Sequence, residues 1–72
     1  MDVFSYTRTW KEIEEMLHRA EKKQNQHITA LQDKRISKSK KIEHMRNYKA
    51  LEGVVKSLRW VLGDKDIIHP LE

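Results

Sequence analysis

The first 52 residues of this chain contain neither glycine nor proline, and that absence constrains its fold more than any other feature. Both glycines and the only proline come later, at Gly53, Gly63 and Pro70. Because glycine and proline are the residues that most often end a helix, their absence favours long helices. The chain also lacks cysteine, which excludes a disulfide scaffold and argues against a zinc finger.

The composition indicates a chain without a membrane-spanning segment. Charged residues make up 36% of it, and its mean hydropathy is -0.86. No apolar run approaches the ~20 residues that a bilayer span needs, and none resembles the apolar region of a signal peptide. We therefore expect one domain over residues 1–72, located in the cytoplasm, with no membrane partner.

Apolar residues at helical spacing predict a first helix over residues 9–32. Thr9 and Glu12 fit a T-x-x-E capping box at its start, in which each side chain binds the backbone of the other. Ser5 and Thr7 are competing caps that would start the helix earlier. The apolar stripe consists of Trp10, Ile13, Leu17, Ala20, Ile28 and Leu31, with a polar interruption at its centre.

A second stripe predicts a helix over residues 38–62. Gly63 follows it directly and can adopt the left-handed conformation of a helix C-terminus. The segment 33–41 between the stripes has two serines, five basic residues and almost no apolar content, so we expect the turn there. The second stripe consists of Met45, Tyr48, Leu51, Val55, Leu58 and Leu62.

Two helices of similar length with a short link predict an all-α fold, an antiparallel two-helix hairpin. Facing positions should have numbers that sum to about 72, which places His27 across from His44. The arm 1–8 and the tail 63–72 then lie at the open end, where their apolar residues are expected to form a small third layer. A single seam cannot bury all the apolar residues, so we expect oligomerisation to complete a helical bundle.

No group of residues indicates an enzyme or a cofactor. Glu12, Glu14 and Glu15 spread over the first turns of a helix, where carboxylates interact favourably with its dipole. His27 and His44 are the only metal candidates, and one pair lacks the further ligands that zinc needs. We therefore expect no metal site and two core-edge histidines that are hydrogen-bonded to Gln24 or Tyr48, although a two-fold dimer would bring two such pairs together.

Charge is distributed unevenly along the chain. Residues 18–49 contain ten Lys and Arg against three acidic residues, whereas the remainder has five against eight. The hairpin would therefore have a basic turn end and an acidic open end. A solubilising loop is one reading, favoured because no aromatic residue lies among the bases for stacking. The other is phosphate binding on nucleic acid by Lys34, Arg35, Lys38, Lys40 and Lys41.

The second helix carries another face that the seam does not explain. Small residues and one tryptophan follow one another there at intervals of three and four. Glycine inside a helix costs about 1 kcal/mol relative to alanine, which favours a role in which a neighbouring helix approaches closely. The predicted interface residues are Gly53, Ser57 and Trp60 on this face, with Trp10 and Phe4 from the open end.

The stretch from Tyr48 to Leu62 has the pattern Y-x-x-L-x-G-x-V-x-x-L-R-x-V-L. In this pattern it resembles the second helix of small phage-encoded helical-hairpin proteins. The resemblance implies an accessory or virion-associated protein that works by assembling with other proteins. It supplies no catalytic residues, and the basic turn is not part of the pattern.

We therefore expect a non-enzymatic assembly factor that binds itself or a larger protein, in the host cytoplasm or in a virion. The alternative is a small basic nucleic-acid-binding regulator that uses residues 34–41. That alternative resembles the small plasmid RNA-binding helical hairpins in architecture only.

Overall fold

The computed structural model describes residues 3–71 and contains two helices, α1 (Trp10–Leu31) and α2 (Lys38–Val61), which pack against each other. No strand occurs within residues 3–71. The predicted all-α hairpin is confirmed, and each helix end lies within one residue of the predicted ranges 9–32 and 38–62. Residues 1, 2 and 72 of the predicted arm and tail lie outside the described residues.

Helix α1 begins with the predicted capping box. The Glu12 backbone N–H donates to Thr9 Oγ1, and the Thr9 backbone N–H donates to Glu12 Oε1, both at 3.1 Å. Two N–H groups that lack helical partners are thereby satisfied. The competing caps Ser5 and Thr7 instead bond to each other, with their hydroxyl oxygens 2.9 Å apart.

The turn between the helices is held by short-range hydrogen bonds. Asp33 Oδ1 accepts from the Arg35 backbone N–H at 2.9 Å, and Ser37 Oγ accepts from the Lys40 N–H at 3.2 Å. Ser37 is thus the N-cap of α2. Its position directly before the first helical residue is the ordinary location for a serine cap.

Helix α2 ends at the predicted glycine. Gly63 has a φ of 85°, and its N–H donates to the Trp60 carbonyl at 3.0 Å while the Asp64 N–H donates to the Arg59 carbonyl at 2.9 Å. These two bonds are the pair that defines a Schellman motif, which needs a residue in the left-handed region. The glycine therefore stops the helix and turns the tail away from it.

The seam between the helices contains little buried surface. Ala20 is the only buried residue of the described chain, at 5% exposure. The half-buried residues around it are Ile13, Leu17, Gln24, His27, His44, Tyr48, Leu51, Val55, Leu58 and Leu62. Trp10 and Met45, which the stripes also included, are exposed instead. Trp10 lies in the first turn of α1 at the open end, and Met45 lies about 100° around α2 from His44. The predicted register is confirmed where His27 meets His44.

The arm and the tail do not form the predicted third layer. Val3, Phe4, Ile68 and Leu71 are between 67% and 89% exposed, and of the tail's apolar residues only Ile67 and Pro70 are half-buried. The expectation was wrong because both segments are short and have no periodic apolar face with which to pack. Neither helix of the described chain has an apolar stretch long enough to cross a membrane.

Candidate functional site

The largest candidate site is the exposed apolar surface of the hairpin. A surface of this kind, when contiguous, marks protein interaction sites more often than isolated apolar residues do. Within residues 3–71 the exposed large apolar side chains lie in the arm, on both helices and in the tail. They are Val3, Phe4, Tyr6, Trp10, Met16, Ile42, Met45, Val54, Trp60, Val61, Ile68 and Leu71.

The outer face of α2 carries the first group of predicted interface residues. Gly53 lies about 180° from the seam residue Leu62 and about 20° from Trp60, at 3.6 residues per turn. Gly53, Ser57 and Trp60 are all exposed, and half of the Trp60 surface is accessible. A Cβ added at Gly53 would meet no atom of residues 3–71 within 4 Å. In that part of a single hairpin, therefore, no other group occupies the space of the missing side chain.

The open end carries the second group. Trp10 is 65% exposed, so it borders the seam without being buried in it. The Phe4 ring lies 6.0 Å from the Tyr6 ring, tilted by 46°. Within the described residues, no aromatic ring pair joins Phe4 or Trp10 to Trp60 on the outer face of α2.

Sequence reasoning missed part of this surface. Ile42 was not predicted to be exposed, and it lines a shallow depression on α2 with Met45, Arg46 and Lys49. The helical spacing already indicated that Ile42 is exposed, because Ile42 lies about 20° around the axis of α2 from Gly53, on the face opposite the seam. Val54 and Val61 lie about 90° from the seam and extend the apolar surface sideways.

The basic turn is the second candidate site. All five predicted residues, Lys34, Arg35, Lys38, Lys40 and Lys41, are exposed. Three of them lie in the first four residues of α2, whose first turn has no acidic residue. A helix N-terminus carries partial positive charge, so these lysines lie where a cation costs stability and an anion adds it.

Two of the five bases already have a partner. Arg35 Nε lies 3.4 Å from Asp33 Oδ1, and Lys40 Nζ lies 3.4 Å from Glu43 Oε2. Both pairs are well exposed, so water and salt weaken them. Lys34, Lys38 and Lys41 make no ion pair within residues 3–71.

The third candidate site is the pair of histidines across the seam. His27 Nδ1 and His44 Nδ1 lie 2.9 Å apart, with ring centroids 5.1 Å apart and ring planes inclined by 50°. Both residues are half-buried. The structure thus brings together the two residues that the sequence paired, and within residues 3–71 they bond to each other rather than to the expected partners Gln24 or Tyr48. Within the described part of the chain, no group of three or more His, Asp or Glu residues is arranged to hold a metal.

Comparison of the chain with protein-family models, with curated proteins and with solved structures returned no match.

Proposed function

We propose that the chain is a non-enzymatic assembly protein that associates with a second copy of itself through the exposed apolar surface of its helices. The observation that carries the proposal is the surface area of the hairpin. One chain of 8.7 kDa exposes 6569 Å², whereas a compact monomer of that mass exposes about 4,700 Å². The excess exceeds the ~800 Å² that each partner buries in an interface of standard size.

The uneven distribution of charge along the hairpin favours an antiparallel arrangement of the two copies. The turn half holds the ten bases and three acids of residues 18–49, and the open half has more acids than bases. Two hairpins packed side by side in opposite directions bring each basic half against an acidic half. The acidic end of the partner would then supply the negative charge that the first turn of α2 lacks.

The resemblance of residues 48–62 to phage-encoded helical hairpins supports a role for the assembled protein in a phage. In that context the assembled protein acts as an accessory or virion-associated factor, in the host cytoplasm or in a virion. The same apolar faces would bind a larger protein after, or instead of, the second copy.

Sedimentation equilibrium of the full chain over a range of micromolar concentrations tests self-association. We expect a dimer whose fraction rises with concentration and whose helical content by circular dichroism rises with it, because residues 3–71 of one hairpin bury a single residue, Ala20. A helical monomer of 8.7 kDa at every concentration would contradict the proposal.

A second candidate function, binding of nucleic acid by the basic turn, is favoured by the exposed lysines at the start of α2. Replacing Lys38, Lys40 and Lys41 with alanine should then weaken binding equally for all sequences and flatten the salt slope by roughly 2 to 3. The matched control replaces Lys11, Lys56 and Lys65, which removes the same charge elsewhere. Equal losses in both triple variants, or no retention of DNA or RNA at low salt, would contradict this function.

A further inference from the structure

The histidine pair has a geometry that neither self-association nor nucleic-acid binding requires. Two ring nitrogens of the same kind, His27 Nδ1 and His44 Nδ1, face each other at 2.9 Å across the seam. The two rings come from different helices and are held at that separation by the register of the hairpin. No other pair of histidines within residues 3–71 is in contact.

The two facing Nδ1 atoms can share one electron-pair acceptor. A neutral imidazole has one N–H and one lone pair, so at this distance one histidine donates and the other accepts. A proton on both Nδ1 atoms would point two N–H groups at each other. A proton between the nitrogens satisfies both rings. A metal ion beside the line that joins them does the same once the donating ring carries its proton on Nε2 instead of Nδ1.

The separation is close to that of two imidazole ligands on one metal ion. Zn–N bonds of 2.0–2.1 Å at a tetrahedral angle place the two nitrogens about 3.3 Å apart. The observed 2.9 Å therefore needs an opening of a few tenths of an ångström, together with a rotation of both rings that turns their lone pairs from each other towards the ion. Because both residues are half-buried, the outward side of the pair stays open to water molecules as further ligands.

We propose that His27 and His44 form a binding site for one divalent transition-metal ion of the Zn²⁺ or Cu²⁺ type, with both Nδ1 atoms as protein ligands and water completing the coordination. Two nitrogens from two helices would clamp the hairpin near its turn end. The ion would thus bind the folded hairpin in preference to the unfolded chain and stabilise it.

The surroundings of the pair select the class of ion. Ca²⁺ and Mg²⁺ are attracted by clusters of carboxylates, whereas this half of the chain has ten bases against three acids. One of those acids, Glu43, already pairs with Lys40. Imidazole bonds to Zn²⁺ and Cu²⁺ are strong enough to form without charge attraction, and Cu²⁺ should bind more tightly than Zn²⁺. The affinity of the pair for either ion should be modest, because only two protein ligands hold the ion and the surrounding bases repel a cation.

The expected ratio is one ion per chain. His27 lies about 10 Å from the middle of α1 towards the turn, at 1.5 Å per residue. In two hairpins packed in opposite directions, the two histidine pairs would lie about 20 Å apart, too far to share an ion. A parallel dimer would bring the pairs to the same end.

Calorimetric titration of the full chain, without an affinity tag, with ZnCl₂ tests the site. We expect saturable binding at one Zn²⁺ per chain in the wild type, weakened by roughly tenfold or more in His27→Gln and in His44→Gln, since even outer-shell partners are worth that much. The matched control is the double variant His18→Gln, His69→Gln, which removes the other two histidines and should bind as the wild type does.

Three results would overturn the proposal. They are the absence of binding at millimolar Zn²⁺, equal binding in all variants, and loss of binding in the control alone. A ratio of one Zn²⁺ per two chains would also overturn it, because two pairs would then share one ion.

A measurement on the wild type covers the case in which the single variants do not fold. In the proton NMR spectrum, substoichiometric Cu²⁺ should broaden the ring signals of His27 and His44 before those of His18 and His69. Broadening of all four signals together, or of His18 or His69 first, would overturn the site independently of any substitution.

Discussion

The guanidinium group of Arg59 in α2 donates a hydrogen bond to the carboxylate of Glu21 in α1, with Nη2 and Oε2 2.7 Å apart. The two residue numbers do not fit the pairing rule of the seam, under which Arg59 lies opposite residue 13. They meet because helical side chains lean towards the N-terminus of their own helix. In an antiparallel pair the Glu21 and Arg59 side chains therefore lean towards each other.

Arg59 also contacts the turn that ends α2. Its Nη1 lies 3.6 Å from Asp64 Oδ2, and its carbonyl accepts the Asp64 N–H. The hydrogen bond to Glu21, followed by the charge of Glu21 and then that of Asp64, holds the pKa of Arg59 above its ordinary value. One side chain thus joins both helices and the beginning of the tail.

The first prediction is that Arg59→Gln and Glu21→Gln each lower the melting temperature. The melting temperature of the double variant should fall by less than the sum of the two single decreases. The reason is that both substitutions remove the same contact between the helices. Thermal unfolding followed by circular dichroism measures all three variants. Lys49→Gln is the control, because Lys49 pairs with Glu52 within α2. Additive effects at Arg59 and Glu21 would show that the contact does not join the helices in solution.

The second prediction concerns acid sensitivity at the start of α1. The pKa of Glu12 lies below its ordinary value of 4.5 because the Thr9 backbone N–H, then the Arg8 side chain, then the Thr9 hydroxyl bond to its carboxylate. A carboxyl group with a lowered pKa in the folded state stabilises that state above the unfolded pKa. The stabilisation is lost as pH falls through the folded value. Stability should therefore fall below about pH 4.5 more steeply in the wild type than in Glu12→Gln.

Melting temperatures of the two proteins between neutral pH and pH 3 measure this difference. Glu14→Gln, which leaves the capping box intact, should keep the additional loss at acidic pH. Thr9→Ala should cost about 1 kcal/mol at neutral pH, the usual value of an N-cap. Parallel pH profiles for the wild type and Glu12→Gln would mean that the capping box does not form in solution.

The helices and their register followed from the sequence because the signals that fix them are local. Thr9 and Glu12 mark the start of α1 and Gly63 marks the end of α2, and both caps are present with the expected hydrogen bonds. The 3.6-residue period of the stripes sets the packed face of each helix, and the position of the short link between helices of similar length sets the register, which placed His27 opposite His44. Their proposed role as a metal site depends on an ion, which no periodicity encodes.

The parts that sequence reasoning missed depend on the reach of individual side chains. The pairing of Arg59 with Glu21 requires the lean of two long side chains, which a register rule does not contain. The arm and tail were assigned to a third layer from their apolar content alone, yet Phe4 and Ile68 remain exposed. The burial of such segments depends on a partner surface, and the sequence of one chain does not show that surface.

The third prediction separates stability of the hairpin from assembly at Gly53. Among the described residues no atom lies within 4 Å of a Cβ at this position, so Gly53→Ala should stabilise α2 by up to about 1 kcal/mol through helix propensity. If a second helix packs over this face, Gly53→Leu should block association, and the variant should keep the helical content that the wild type has at concentrations too low for it to dimerise. Trp60→Ala should weaken association by about 2 kcal/mol or more, as a large interface anchor does.

Sedimentation equilibrium measures these effects on association. Asn47→Leu is the control for Gly53→Leu, because Asn47 is exposed on the same helix but lies about 120° around it. We expect the control to associate as the wild type does. Equal association of Gly53→Leu and the wild type would place the interface on another face, of which the side with Val54 and Val61 is the next candidate.

The fourth prediction tests the direction in which two hairpins pack, using one substitution at each end. Glu15→Lys and Glu43→Lys both reverse an exposed acidic residue on a helix and change the net charge equally. Glu15 lies in the acidic open half and Glu43 in the basic turn half. In antiparallel packing, Glu15→Lys faces the basic end of the partner and should weaken association by roughly twofold to fivefold, the size of exposed ion-pair effects. Glu43→Lys faces the acidic end of the partner and should preserve or strengthen association.

Parallel packing would reverse both effects on association, because like ends of the two hairpins would then meet. Dissociation constants from sedimentation at low salt measure the difference, and it should fade towards molar salt, where the screening length is about 3 Å.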